Sequence, residues 1–305
     1  MKLAFIYSGQ GAQAVAMGKD LYNTFPLVKE FYDSIEPRIK ELSFEADIDT
    51  LTKTENTQPV MVAFQLAVTD LLKVEGIVPY AVAGLSIGEY SALYSAGVIS
   101  RKDALDIALF RGRCMGEYSS DMNTAMIAVI GSEEEELKEL LKELQLSKKI
   151  FISNVNTKGQ IVLTGKKEDF EGLNEALKEK KWRGIPLKVG GPFHTPYMAP
   201  VAEKLKNFFE RISFHTPQCK IAMNLTGDYE EDNFSEIMSR QVMETVRFKD
   251  DLEKLLEEVD LFVEIGHNKV LAGFIKRLNP KARVLEIKDK ESFISTREEL
   301  SKCKK

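Results

Sequence analysis

A chain of 305 residues exceeds what a small binding module needs and suits an enzyme with one large core and a smaller inserted or appended domain. Apolar residues at 44% and charged residues at 29% give the balance of a packed globular protein and exclude a disordered or fibrous one. With 42 basic against 47 acidic residues, the net charge of -5 offers no field favouring a nucleic-acid backbone or an anionic membrane.

Residues 2–8 predict a buried strand, followed by the turn Gly9-Gln10-Gly11. Residues 20–40 read as helix with a proline break. Thr57 and Pro59 mark a further helix start, and residues 60–74 carry the apolar density of a helix buried on most sides, ending at Gly76. A short strand at 80–84 then leads into a helix at 86–96 closed by Gly97, which puts Ser86 at a strand-to-helix junction. Ser100 and Asp103 make a capping-box-like start for a helix running to about Met115.

From Ala125 the pattern changes to strand (125–130), charged helix (133–144), paired strands (151–154 and 160–164), helix (167–180) and strand (183–189). That β-α-β-β-α-β order predicts a ferredoxin-like subdomain, residues 125–190, inserted into an α/β-hydrolase-like core with a parallel sheet, residues 1–124 and 191–305. Residues 261–265 form a strong buried strand running into Gly266-His267-Asn268, and the last five residues are expected to fray. Lys178 to Lys181, with Arg183 and Lys188, read as a solvated helix face. Cys114, Cys219 and Cys303 are scattered and lack C-x-x-C spacing, which disfavours a disulfide framework or zinc site and fits a reducing cytoplasm. No apolar run reaches membrane-spanning length, and Leu3–Tyr7 is too short for a signal-peptide core.

Gly84-Leu85-Ser86-Ile87-Gly88 matches G-x-S-x-G, in which small flanking residues allow a sharp, strained turn that exposes a serine hydroxyl above the sheet. The spacing alone is weak, since roughly one chain of this length in ten would carry it by chance. The strand before and helix after sharpen it, because the helix N-terminus supplies backbone donors where an oxyanion would form. A serine nucleophile needs a base, and the chain has three histidines. His215 reads as an ordinary loop or strand-edge residue. His267 follows a buried strand, where α/β enzymes place their sites, and His194 lies in a rigid turn, Gly190-Gly191-Pro192-Phe193-His194-Thr195-Pro196. The residues alone do not separate these two.

Arg111 has Ile107, Ala108, Cys114 and Met115 as its helical neighbours, so it projects from an apolar face, whereas Arg113 is flanked by Asp106 and Glu117 as a solvated arginine should be. An inward guanidinium must find an anion, either in a structural ion pair or in a substrate carboxylate. Gly9-Gln10-Gly11-Ala12-Gln13-Ala14 fits a dinucleotide fingerprint superficially, but the second strand with its acidic end that such a motif needs is missing from 20–40.

Together these segments resemble the malonyl-CoA:acyl carrier protein transacylases of fatty acid synthesis and the related acyltransferase domains of polyketide synthases. The resemblance spans nearly the whole chain. It rests on Tyr7-Ser8-Gly9-Gln10-Gly11-Ala12-Gln13, Thr57-Gln58-Pro59, Gly84 to Leu93, Arg111-Gly112, Gly191-Pro192-Phe193-His194, and Glu264-Ile265-Gly266 with Lys269-Val270-Leu271. It implies a covalent exchange in which Ser86 takes the malonyl group from malonyl-CoA and the phosphopantetheine thiol of acyl carrier protein collects it. His194 would be the base, the backbone N–H groups of Gln10 and Ile87 the oxyanion hole, and Arg111 the clamp on the malonyl carboxylate. The family usually has proline where His267 stands. A backbone carbonyl near Val246-Arg247-Phe248 is expected to orient the histidine, with the role of Arg247 itself left open. Leu85 departs from the frequent G-H-S-x-G pattern and bears on selectivity, while Phe193 resembles malonyl-selective members. No cofactor or metal is expected, and a monomer is the default. A lipase-like hydrolase would share the elbow but has its histidine near the C-terminus and no use for an inward arginine. The same residues would also suit a trans-acting polyketide acyltransferase, whereas Ser86, His194 and Arg111 together argue against a non-catalytic relative that only binds a carrier protein.

Overall fold

A computed structural model describes residues 1–187 and 191–302. After β1 (Leu3–Tyr7) come five helices: α1 (Lys19–Thr24), α2 (Pro26–Ser34), α3 (Pro37–Glu45), α4 (Ile48–Thr52) and α5 (Thr54–Val74). The single break expected in 20–40 is two, because Pro26 and Pro37 each open a new helix at its first position, where a missing N–H costs nothing. Pro59, expected at a helix start, lies well inside α5, which begins at Thr54; the side chains of Asn56 and Thr57 tie that start to the Thr50 and Leu51 carbonyls.

β2 (Ala81–Gly84), α6 (Gly88–Ser95) and α7 (Arg101–Ser119) follow, the last extending a turn beyond its expected end. Ser100 caps α7 by accepting from the Asp103 N–H. β3 (Thr124–Ile130), α8 (Glu134–Glu143), β4 (Ile150–Thr157), β5 (Gln160–Lys166), α9 (Glu171–Glu179) and β6 (Arg183–Pro186) come next. The remainder is α10 (Ala199–Phe209), β7 (Lys220–Met223), β8 (Asp228–Tyr229), α11 (Phe234–Gln241), α12 (Phe248–Leu256), β9 (Leu261–Ile265), α13 (Val270–Leu278), β10 (Arg283–Ile287) and α14 (Lys290–Lys302). Where helix was expected from 167, a 3-10 turn at Lys167–Phe170 precedes α9. Lys188, Val189 and Gly190, which belonged to the expected last strand and histidine turn, lie outside the described residues, as does Cys303.

Two sheets organise these elements. In the first, of order β10-β9-β1-β2-β7-β8, every neighbouring pair is parallel except the last, β7 with β8. Helices cover both faces, which is why β1, β2 and β9 are buried along their whole lengths and read as unbroken apolar runs. The second sheet is antiparallel, in the order β4-β5-β3-β6. Along β3 and β5 the side chains alternate with period two, while β4 shifts register between Ile152 and Asn154 and again between Val155 and Thr157. Ile127, Val129, Ile161 and Leu163 pack with Leu137, Leu141, Leu173 and Leu177 of α8 and α9, while Met126, Ala128 and Val162 face the core of the first sheet.

Backbone bonds between Val155 and Val246 and between Val246 and Ser153, at 2.8 and 2.9 Å, stitch the two sheets' regions together. Arg247 adds to this seam: its guanidinium bonds Asp250 at 2.7 Å and lies 3.6 Å from Glu134 of α8. Lys178, Lys180, Lys181 and Arg183 are exposed, as a solvated face requires. Among the described residues no helix is long and apolar enough to cross a membrane.

Candidate active site

β2 ends at Gly84 and α6 begins at Gly88, so the chain must reverse within three residues. A Cβ on Gly84 would lie 2.1 Å from the Gly88 carbonyl carbon, and one on Gly88 would lie 2.3 Å from the Tyr7 oxygen, so only glycine permits this approach. Between them Ser86 sits at φ 53°, a left-handed conformation that costs about 1–3 kcal/mol unless its surroundings impose it. Asn224, just beyond β7, does so. Its Oδ1 accepts the Ser86 N–H at 2.7 Å, while its Nδ2 donates to the Gly84 carbonyl at 2.7 Å and to Asp251 at 2.8 Å.

Ser86 Oγ lies 2.8 Å from His194 Nε2. His194 also has left-handed backbone, at φ 59°, and its N–H is held by the Val242 carbonyl at 2.9 Å. On the far side of the ring, Nδ1 lies 2.8 Å from the Gln241 carbonyl. A carbonyl can only accept, so Nδ1 carries the hydrogen and Nε2 presents a lone pair to the serine hydroxyl. Burial holds the imidazole down to about 3, with the nearby Arg111 charge acting in the same direction, so it is a neutral base at physiological pH. The orienting carbonyl was expected near Val246; it belongs instead to Gln241, the last residue of α11, whose carbonyl has no partner within its own helix. The Val246 carbonyl is taken by β4. No acidic third member touches the histidine among the described residues.

Arg111 is 1% exposed and reaches the same hydroxyl: Nη2 lies 3.1 Å from Ser86 Oγ and 2.9 Å from Gln241 Oε1. Its Nε is buried without a partner, and no carboxylate pairs with it directly among the described residues, so the structural ion pair that its apolar setting allowed is absent. Burial pulls its pKa below the ordinary value, opposed by Tyr90 and Glu89. A buried guanidinium with a spare donor is a receptor for an incoming anion.

Ser86, His194, Arg111, Gln10 and Ile87 line one cavity of about 120 Å3, closed on the other side by Met126, Asn154, Asn156 and Val162 from the antiparallel sheet. Leu85 and Phe193 also line it. His267 does not; its ring packs 5.5 Å from that of Phe64. His215 is exposed in a loop, its N–H on the Val98 carbonyl. Geometry thus separates two histidines that the residues alone left level.

Sequence reasoning missed Gln241, Asn224 and Glu89. Glu89 is fully buried, accepting from the Asn224 N–H at 2.7 Å and from the Gln241 amide. Burial pushes its carboxyl up to about 8 and drives Asp251 up as well.

Residues 4–301 match the acyl transferase domain family. The chain belongs to that family. Among similar acyl transferases, the malonyl CoA-acyl carrier protein transacylase of Bacillus subtilis (strain 168) is 37% identical over 301 residues, covering 96% of this chain and 95% of the relative. The solved malonyl CoA-acyl carrier protein transacylase of Clostridium perfringens superposes with a TM-score of 0.94 at 34% identity, over 100% of this chain and 98% of that one. A type II PKS acyl-carrier protein in complex with its malonyl-transacylase gives 0.92 at 31% identity, over 98% of this chain and 100% of that one.

Proposed function

We propose that the protein moves a malonyl group from malonyl-CoA to the phosphopantetheine thiol of acyl carrier protein, in fatty acid synthesis, through an ester on Ser86. The observation that carries this reading is one hydroxyl oxygen held between a neutral imidazole and a buried guanidinium, at 2.8 and 3.1 Å. Ser86 Oγ attacks the thioester carbonyl while its proton passes to His194 Nε2, and the oxyanion forms against the N–H groups of Gln10 and Ile87. The C–S bond then breaks, and the CoA sulfur leaves with the proton from His194. In the second half the carrier thiol gives its proton to His194 and attacks the Ser86 ester, which releases the serine and the malonyl thioester. Arg111, its donors otherwise underused, binds the free carboxylate of the acyl group throughout.

The architecture fits an α/β-hydrolase-like core, residues 1–124 and 191–305, with residues 125–190 as an inserted ferredoxin-like unit whose sheet supplies the far wall of the cavity. No cofactor enters this scheme, and we place the protein in the cytoplasm as a monomer. A role with a polyketide synthase carrier protein is the second reading, favoured by the high similarity to the malonyl-transacylase solved with such a carrier.

Intact mass after brief exposure to malonyl-CoA or acetyl-CoA tests the scheme. A malonyl adduct on the wild type that vanishes in Ser86→Ala, with preference swinging to acetyl in Arg111→Ala, is the expected result. Absence of any adduct on the wild type sinks the covalent route.

A further inference from the structure

Glu89 has no part in the transfer just described, yet it is a fully buried acid in the first turn of α6, three residues beyond the nucleophile. Both its oxygens are committed as acceptors, Oε1 to the Asn224 N–H at 2.7 Å and Oε2 to the Gln241 amide nitrogen. The same amide nitrogen donates to the Ser86 carbonyl at 2.8 Å, while Gln241 Oε1 receives Arg111 Nη2 at 2.9 Å. These three contacts agree with one orientation of the amide. Flipped, it would set its oxygen against two acceptors and its NH2 against a guanidinium.

We propose that Glu89 is a positioning residue for acyl-group selection: its carboxyl group fixes the Gln241 amide, which in turn aims Arg111 at the acyl site and so sets the preference for acyl groups bearing a carboxylate. This rests on the reading of Arg111 as the carboxylate clamp. Replacing Glu89 by glutamine keeps its shape but turns one acceptor into a donor, which must then face either the Asn224 N–H or the Gln241 NH2. The outcome is the same whether or not the native carboxyl carries a proton, because a hydroxyl oxygen still accepts and an amide nitrogen does not.

The test measures kcat/KM for malonyl-CoA and acetyl-CoA in Glu89→Gln, Gln241→Met, the double variant and Arg111→Ala, with folding checked by thermal unfolding. Each of the first two variants is expected to lower the malonyl-to-acetyl ratio about tenfold, the scale of one lost charge-assisted hydrogen bond. Malonyl transfer should fall further than acetyl transfer, and the double variant should go no lower than Gln241→Met alone, since the two act in series. Equal losses with both donors, as a purely structural role would give, or additive losses in the double variant, overturn the proposal. If Glu89→Gln does not fold, Gln241→Met decides, because it keeps the backbone carbonyl that orients His194; an unchanged ratio there rejects the relay. Arg111→Ala separates the two claims. An unchanged ratio in that variant removes the clamp reading itself, whereas a collapsed ratio there, with intact ratios in the other variants, leaves the clamp standing and removes Glu89 from it.

Discussion

The two sheets contribute to the cavity in opposite ways. Ser86 stands at the end of β2 in the parallel sheet, and among the described residues the side chains that bond to it come from that sheet's helices and flanking segments: Arg111 from α7, His194 from the turn before α10, Gln241 from α11 and Asn224 from the end of β7. Each of these is held by at least two bonds. The antiparallel sheet delivers Met126, Val162, Asn154 and Asn156, which bound the space, and the buried Asn156 Oδ1 has no hydrogen-bond partner among the described residues. The contrast separates chemistry, built where positions are over-determined, from enclosure, which needs only a filled wall.

The largest effect should come from breaking the first side. His194→Ala removes the general base, so the first-turnover acylation rate should fall about 10^2–10^4-fold, read by quenched-flow mass analysis. A loss below tenfold would hand the base role to another group. The enclosing side should behave differently. Val162→Ala removes two methyl groups from a buried wall and should cost about 1–2 kcal/mol of stability in denaturant titration, with acylation changed only a few-fold. A larger loss of rate than His194→Ala would erase the distinction between the two regions.

A smaller effect sharpens the contrast by pH. Glu89, on the parallel-sheet side, has its folded pKa raised to about 8, above its ordinary value, so the native state holds a proton that the unfolded chain has released. Stability from this group is therefore full at low pH and is lost as pH rises toward 8. Between pH 7 and 8 the fold should lose about 1 kcal/mol in urea titration. Asp251 shifts in the same direction. His194 opposes the trend only slightly there, since above its ordinary pKa its imidazole is mostly neutral in both states. A midpoint that stays level or rises over this interval contradicts the assignment.

The elbow was legible because its two glycines and its strand-to-helix context are local, and Arg111 because its apolar neighbours three and four positions away are local too. The choice between His194 and His267 was not. Both follow turn-forming glycines, and what separates them is the Gln241 carbonyl, 47 residues away in sequence. Glu89 could have been found. With Ala92 and Leu93 one turn on along the helix and Leu85 four positions before it, it shows much of the pattern that singled out Arg111. Asn224, at the end of a buried strand, also stands where α/β sheets place functional groups. Gln241 carries no comparable signal: between Arg240 and Val242 at the end of an amphipathic helix, it looks like any solvated residue. The expected carbonyl fell five residues late because only the end of α11 decides which carbonyl is left free.

That free carbonyl sets the range of leaving groups the site can handle. A carboxylate behind an imidazole would stabilise its cation by a full charge; a peptide oxygen offers only a dipole, and Arg111 close by disfavours the cation further. A departing sulfur is a far weaker base than an amine and can go without first taking a proton, so it asks little of a site that holds an imidazolium poorly, whereas an amine must be protonated before it can go. The geometry therefore suits trading one thioester for another at nearly equal energy, in either direction, and leaves peptide-like bonds alone.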